Sequence, residues 1–264
     1  MKFLESTQMM NSVTFNNFRS FDELTVPLSQ ITMLTGPNCI GKTTVLEGIY
    51  CLFSETRSDA SVLPRYQATP HLSGTPPSIC KYLDFPFVRQ MPPSNLSYTA
   101  SQFLVKALKI INSRITDVRD PGDRTELSVI LDDKYSAALG TLGSGVDAWT
   151  RTLIALSGII ETKLPTDTSV IILIDEIGAC IHYSVMLSIW EYIRDFVEKY
   201  PFIQFVTTCH SNDCVRAFCE AFSGSDEATV VRLHKTAIKS KIIPTTYSRK
   251  QFPKIISGDW EVRG

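Results

Sequence analysis

The stretch Ile31–Tyr50, ITMLTGPNCIGKTTVLEGIY, constrains this chain more than any other. A short apolar run, Ile31 to Leu34, reads as a buried strand, and a glycine-bounded loop follows it. Gly36, Gly41, Lys42 and Thr43 match G-x-x-x-x-G-K-[ST], and a helix is predicted to open at Lys42–Thr44 and run on through Val45–Phe53. The spacing has a physical reason. Glycines let backbone N–H groups turn inward around phosphate oxygens, and the helix N-terminus adds partial positive charge. Lys42 is the candidate for the β- and γ-phosphates, and the Thr43 hydroxyl for Mg²⁺. The whole loop, Gly36, Pro37, Asn38, Cys39, Ile40, Gly41, Lys42, Thr43 and Thr44, is the candidate nucleotide cradle.

Upstream, Ser12–Phe18 and Glu23–Leu28 alternate as two strands. Phe18 and Arg19 lie between them, facing either the nucleotide or, as a hairpin turn with a solvated arginine, open water. Downstream, residues 54–100 hold seven of the fourteen prolines, a density that opposes long helices and central strands. This segment reads as irregular, with one strand at Tyr82–Val88 and with Gln90 as a candidate Mg²⁺ contact. Ser101–Asn112 has helical spacing of apolar residues, and Glu126–Leu131 reads as a strand closing the insertion.

Leu142-Gly143-Ser144-Gly145 is a glycine-rich turn directly ahead of another helix, a second candidate phosphate-binding N-terminus. Ser169–Ile174 is an apolar strand ending in Asp175-Glu176, which brings carboxylates to the carboxyl end of a parallel sheet. Asp175 is the candidate partner of Mg²⁺, and Glu176 the general base toward water. Met186–Tyr200 reads as an amphipathic helix and Phe202–Thr207 as a further core strand. His210 follows that strand closely and is a candidate for contact with a γ-phosphate.

Bulk properties narrow the class. A net charge of -1 and 20% charged residues give no global pull toward nucleic acid or lipid. The segment 232–254 carries seven Lys/Arg and no Asp/Glu, a surface for nucleic acid or an acidic partner unless it is simply solvated. No apolar run reaches the roughly 18 residues of a membrane span, and MKFLESTQMM lacks the features of a signal peptide. Seven cysteines without paired spacing suit a reducing cytoplasm. Cys209, Cys214 and Cys219 recur beside His210, but steps of five rotate around a helix and do not build a zinc site.

Together FNNFRSF (Phe15–Phe21), GPNCIGKTT (Gly36–Thr44), LGSGV (Leu142–Val146), ILIDEIGACIHYS (Ile172–Ser184) and TTCHS (Thr207–Ser211) resemble the ABC-type ATPase heads, in the branch of RecF-like and overcoming-lysogenisation-defect ATPases. They look most like stand-alone AAA-family ATP-binding proteins, several of which act with a nuclease in phage-defence operons. The resemblance covers about 200 residues and leaves the Pro-rich insertion unmatched. It implies an α/β P-loop NTPase fold with a mixed central sheet and N-terminal antiparallel strands. One domain would span 1–264, with 54–135 as an inserted Pro-rich and helical lobe. It also implies ATP and Mg²⁺ as ligands and ATP hydrolysis, which the Cβ of Cys39 in the loop is expected to slow. Two chains would sandwich ATP, each offering Leu142, Gly143, Ser144 and Gly145 in trans, with Ile177–His182 at the interface. Cys39 and Cys180 stand where the family usually has glycine, and Val146 replaces the second glycine of the transporter-type signature.

Within that frame, a switch controlling a nuclease or other effector is the leading expectation. An ATP-binding scaffold with little turnover and a transporter's nucleotide-binding subunit are the alternatives. Long coiled-coil arms are not expected, because residues 45–141 lack sustained heptads.

Overall fold

The computed structural model of the 264-residue chain describes residues 9–53, 70–74, 76–84, 97–119, 127–162, 164–165, 168–179, 181–236 and 241–258. Gln90, Cys180 and most of the Pro-rich stretch therefore lie outside the described residues.

Strands β1 (Met10–Phe18) and β2 (Phe21–Pro27) pair antiparallel around a tight turn, with Asn17 and Arg19 left-handed at φ 50° and 51°. Their alternation turns Val13, Phe15, Phe18, Phe21, Leu24 and Val26 inward. These residues bed the helix α1 (Lys42–Phe53), whose Val45, Leu46 and Ile49 are buried. Between hairpin and helix runs β3 (Ile31–Thr35), buried along its whole length.

The sheet around β3 has six strands. On one side of β3 lie β10 (Ile203–Thr208), β9 (Val170–Asp175) and β5 (Ile79–Asp84), all parallel. On the other lies β11 (Ala228–Lys235), parallel, and then β12 (Ile242–Tyr247), antiparallel at the edge. The uninterrupted apolar runs of β3, β9 and β10 follow from burial on both faces. Ile171, Leu173 and Val206 face α1 and the hairpin. Ile172, Ile174 and Phe205 face the opposite core, with α4 (Tyr183–Lys199), α5 (Asn212–Ala221) and α6 (Phe252–Ile256). The mixed central sheet, the antiparallel hairpin and the expected helices are all present.

The segment 54–100 departs from its irregular reading, and part of the expected 54–135 lobe belongs to the main body. Among its described residues are β4 (His71–Gly74), which pairs with β1, and β5, which joins the central sheet. Pro76 and Pro77 precede β5 and leave its ladder intact, and β5 is an edge strand, where proline neighbours are tolerated. The strand expected at Tyr82–Val88 thus begins earlier, at Ile79, and residues 85–88 lie outside the described residues. A lobe follows. Helix α2 (Tyr98–Leu108), capped by the Ser97 hydroxyl, packs on β6 (Ile115–Arg119). β6 pairs with β7 (Ser128–Leu131), which pairs with β8 (Tyr135–Ala138) in an antiparallel meander. Helix α3 (Ser144–Glu161) then leads back to the main body.

The basic stretch 232–254 is built into the end of β11, into β12 and into α6. Among the described residues, Lys241 pairs with Glu23 at 3.1 Å and Arg249 with Asp226 at 2.6 Å. Among the described residues no helix is long and apolar enough to cross a membrane.

Candidate active site

Three strand ends meet at one edge of the central sheet, because β3, β10 and β9 are parallel neighbours. After β3 the chain turns at Gly36, φ +135°, where a Cβ would stand 2.2 Å from the Leu233 carbonyl oxygen of β11. No other residue fits there. The loop closes at Gly41, φ +105°, pressed against the Phe21 ring, and α1 starts at Lys42. Between them Cys39 holds φ +58°, a left-handed backbone that a Cβ disfavours by about 1–2 kcal/mol.

Lys42 is only 4% exposed. Its amine donates to the carbonyls of Gly36 and Pro37, both at 2.9 Å, so it lies folded along the loop it belongs to. Burial pushes the amine below the usual lysine range, against the pull of Asp175 and Glu176. The Thr43 hydroxyl donates to Oδ2 of Asp175 at 2.8 Å. Glu176, one residue past β9, takes φ +56° and points its carboxylate toward His210, with Oε1 3.2 Å from Nε2. Burial lowers the His210 pKa below 6.5, the Lys42 charge lowers it further, and Glu176 opposes both. The imidazole is neutral at pH 7 and can act as a donor or acceptor beside the carboxylate.

These groups surround a cleft of about 870 Å³, lined by Gly36, Pro37, Asn38, Cys39, Gly41, Lys42, Thr43, Thr44, Glu176, His210 and Ser20. The loop, more than a hundred residues before the acid pair and the histidine in sequence, is thus brought together with both. Asp175, 8% exposed, sits just beneath through its bond to Thr43.

Other expected residues go elsewhere. Ile40 does not line the cleft: its side chain is 3% exposed and packs into the core with α1 and the hairpin. Arg19 forms an ion pair with Glu47 of α1 and lies over the Phe18 ring, and its neighbour Ser20 lines the cleft instead. Leu142, Gly143, Ser144 and Gly145 are not among the lining residues. They lead into α3, with Gly143 at φ +105° and Ser144 exposed. Sequence reasoning missed Ser20, whose only signal was adjacency to Arg19. It also missed Thr208, which bonds to Asp175 and Glu176 from β10.

The donor sets fit the groups the motifs imply. A hydroxyl and a carboxylate oxygen 2.8 Å apart are hard oxygen ligands of the kind Mg²⁺ takes. A glycine-bounded loop lining the cleft ahead of a helix N-terminus suits a polyphosphate.

The AAA ATPase domain family matches residues 9–139, the stretch that carries the hairpin, the loop and α1. The SMC head domain from Thermotoga maritima superposes with a TM-score of 0.58, covering 90% of this chain and 99% of that chain at 12% identity. CbiO1 from Clostridium perfringens, part of the ABC transporter complex cbiONQ, gives a TM-score of 0.54 over 96% and 93% at 11% identity. No curated protein matches the sequence. At such identities the structural likeness is one of fold, and that fold is the ABC-type ATPase head. The family match takes in just under half of the chain, and together with this fold it supports an ABC/AAA-like ATPase.

Proposed function

We propose that the chain is a Mg²⁺-dependent, ATP-hydrolysing switch that dimerises around ATP and controls a partner effector, such as a nuclease, in antiphage defence or DNA repair. One observation carries the hydrolytic reading: the Thr43–Asp175 bond and the Glu176–His210 pair converge on the cleft beside Lys42. In this reading the loop amides and the α1 N-terminus hold the ATP phosphates, and Lys42 leaves its loop carbonyls for them. Thr43 and Asp175 hold Mg²⁺, which offsets negative charge on the phosphates when bound. Glu176 accepts a proton from the attacking water, and neutral His210 keeps that carboxylate aimed. The left-handed Cys39 favours slow turnover, suited to a switch, because the loop carries strain that a glycine would not.

What supports the dimer is an unused turn: Ser144, at the exposed start of α3, is not among the residues that line its own chain's cleft. A second copy would supply that turn to the γ-phosphate, making nucleotide part of the interface. One domain over 1–264 with α2 and β6–β8 as its lobe, cytoplasmic residence and nucleic-acid contact through 232–254 complete the proposal.

Light scattering after size exclusion tests it on wild type and Glu176→Gln, each with and without ATP and Mg²⁺. The variant is expected to double in mass only with ATP, since the proton acceptor is gone while Lys42 and Thr43 remain. ATP binding without a change of mass would remove the trans role of Ser144.

A further inference from the structure

One hydroxyl ties both halves of the acidic end of β9 together. Thr208, the last residue of β10, is fully buried. Its Oγ1 donates to Oδ1 of Asp175 and accepts the backbone N–H of Glu176 at 2.7 Å. The direction of both bonds is fixed: an ionised carboxylate only accepts, an amide N–H only donates, and the hydroxyl has one proton. The Thr208 carbonyl also accepts the Ile177 N–H at 3.0 Å. Three consecutive residues thus depend on a single residue of the neighbouring strand.

These ties act where β10 stops pairing with β9, although β5 still pairs Asp84 with Asp175 on the other side. The ladder between β9 and β10 ends at Ile174↔Thr207. One residue past β9, Glu176 adopts φ +56°, a conformation it does not choose unaided. Meanwhile the Asp175 carboxylate is gripped at both oxygens, by Thr43 from α1 and by Thr208 from β10. Rotation of that carboxylate would break one grip or the other.

The geometry points to Thr208 as a positioning residue of this site. Its hydroxyl sets the plane of the Asp175 carboxylate and holds the left-handed turn that aims Glu176 at His210. It links the metal side of the cleft to its proton-accepting side, and it rests on the ATPase reading above. Ordinary core packing would need only the methyl group and shape of Thr208. Valine preserves both and suits a strand, whereas serine preserves the hydroxyl and loses the methyl.

The test compares the full chain as wild type, Thr208→Val and Thr208→Ser in two assays. One titrates Mg²⁺ against binding of a fluorescent, non-hydrolysable ATP analogue; the other measures steady-state ATP hydrolysis. Thr208→Val is expected to need about tenfold more Mg²⁺ for half-saturation, as when a group orienting a metal ligand is removed, and to bind the analogue normally in EDTA. Its kcat falls about tenfold or more while KM moves less than about threefold, and Thr208→Ser returns both readouts to within about threefold of wild type. Wild-type behaviour of Thr208→Val in both assays overturns the proposal. Equal damage in the valine and serine variants also overturns it, since that marks methyl packing. If wild type binds the analogue but never hydrolyses ATP, the hydrolytic reading fails and the Mg²⁺ titration alone decides Thr208. If wild type binds no nucleotide, both fail.

Discussion

His210 combines two opposing environments. Burial and the Lys42 ammonium favour its neutral form, and Glu176 at 3.2 Å favours the charged one. The first two prevail, so the folded-state pKa lies below 6.5. The sign for stability follows: above pH 6.5 both folded and unfolded chains carry a neutral imidazole, and nothing is gained or lost. As pH falls below 6.5 the unfolded chain takes up its proton first, and the fold loses stability toward the lower folded pKa. An NMR titration of the imidazole C–H signals should give a midpoint under 6.5, and a lower one still in Glu176→Gln, where the opposing charge is gone. A midpoint that rises in the variant would show that the carboxylate does not act on the ring. At this scale the sequence was informative wherever fixed spacing carries chemistry. Lys42, Thr43, Asp175 and Glu176 were legible because their motif positions leave few alternatives. Arg19 and Ile40 were not, because the direction of a side chain depends on turns: left-handed Asn17 and Arg19 bring Ser20 to the cleft and leave the guanidinium against Glu47. Thr208 was hidden because its partner lies on another strand.

Helix α1 shows how an element is positioned by what it lacks. Gly48 lies mid-helix, where glycine costs about 1 kcal/mol relative to alanine. Yet a Cβ there would stand 2.3 Å from Phe15 Cε1 and 3.2 Å from Phe18 Cε1. The aromatic floor of the hairpin therefore sets the height of α1, and with it Lys42 and Thr43. Gly48→Ala should lower stability by about 1–3 kcal/mol through overpacking, despite its better helix propensity. Urea unfolding measures this, and an unchanged or raised midpoint would show that α1 can lift off the hairpin freely. The helix itself was legible from its motif and apolar spacing. β4, β6 and β8 were not. β6 and β8 are short, half-exposed strands, and the β7–β8 loop uses left-handed Asp132 and Asp133 in place of the glycine that would announce a hairpin.

At the scale of the molecule, the central sheet separates two apolar cores and gathers its chemistry along one rim. A ligand at that rim would touch the loop and the residues just past β9 and β10 together, so it should stabilise the fold as a whole. At one hundred times its Kd a ligand adds about 2.7 kcal/mol. In a chain of this size that corresponds to a rise in Tm of roughly 5–10 °C. Scanning fluorimetry with ATP and Mg²⁺ should show the shift, and Lys42→Ala should abolish most of it. A full shift in that variant would mean that ATP binds elsewhere. The order of motifs along the chain announced the fold class, since each motif ends a strand or begins a helix. The width of the sheet was not legible. It needs β5 from a stretch that reads as irregular, and β12 from one that reads as a basic tail.

The position of β3 also bears on how the molecule is made. Both neighbours of this early strand, β10 and β11, come from residues 203–235. During synthesis the apolar strand ahead of Lys42 leaves the ribosome with both edges unpaired, and it stays so while some 170 further residues are added. Its pairing closes long loops, the slow kind of contact in folding. The nascent chain therefore cannot complete the strand ends that border the cleft until β10 and β11 have been made, and the strand that leads into the loop is open to mispairing throughout that time.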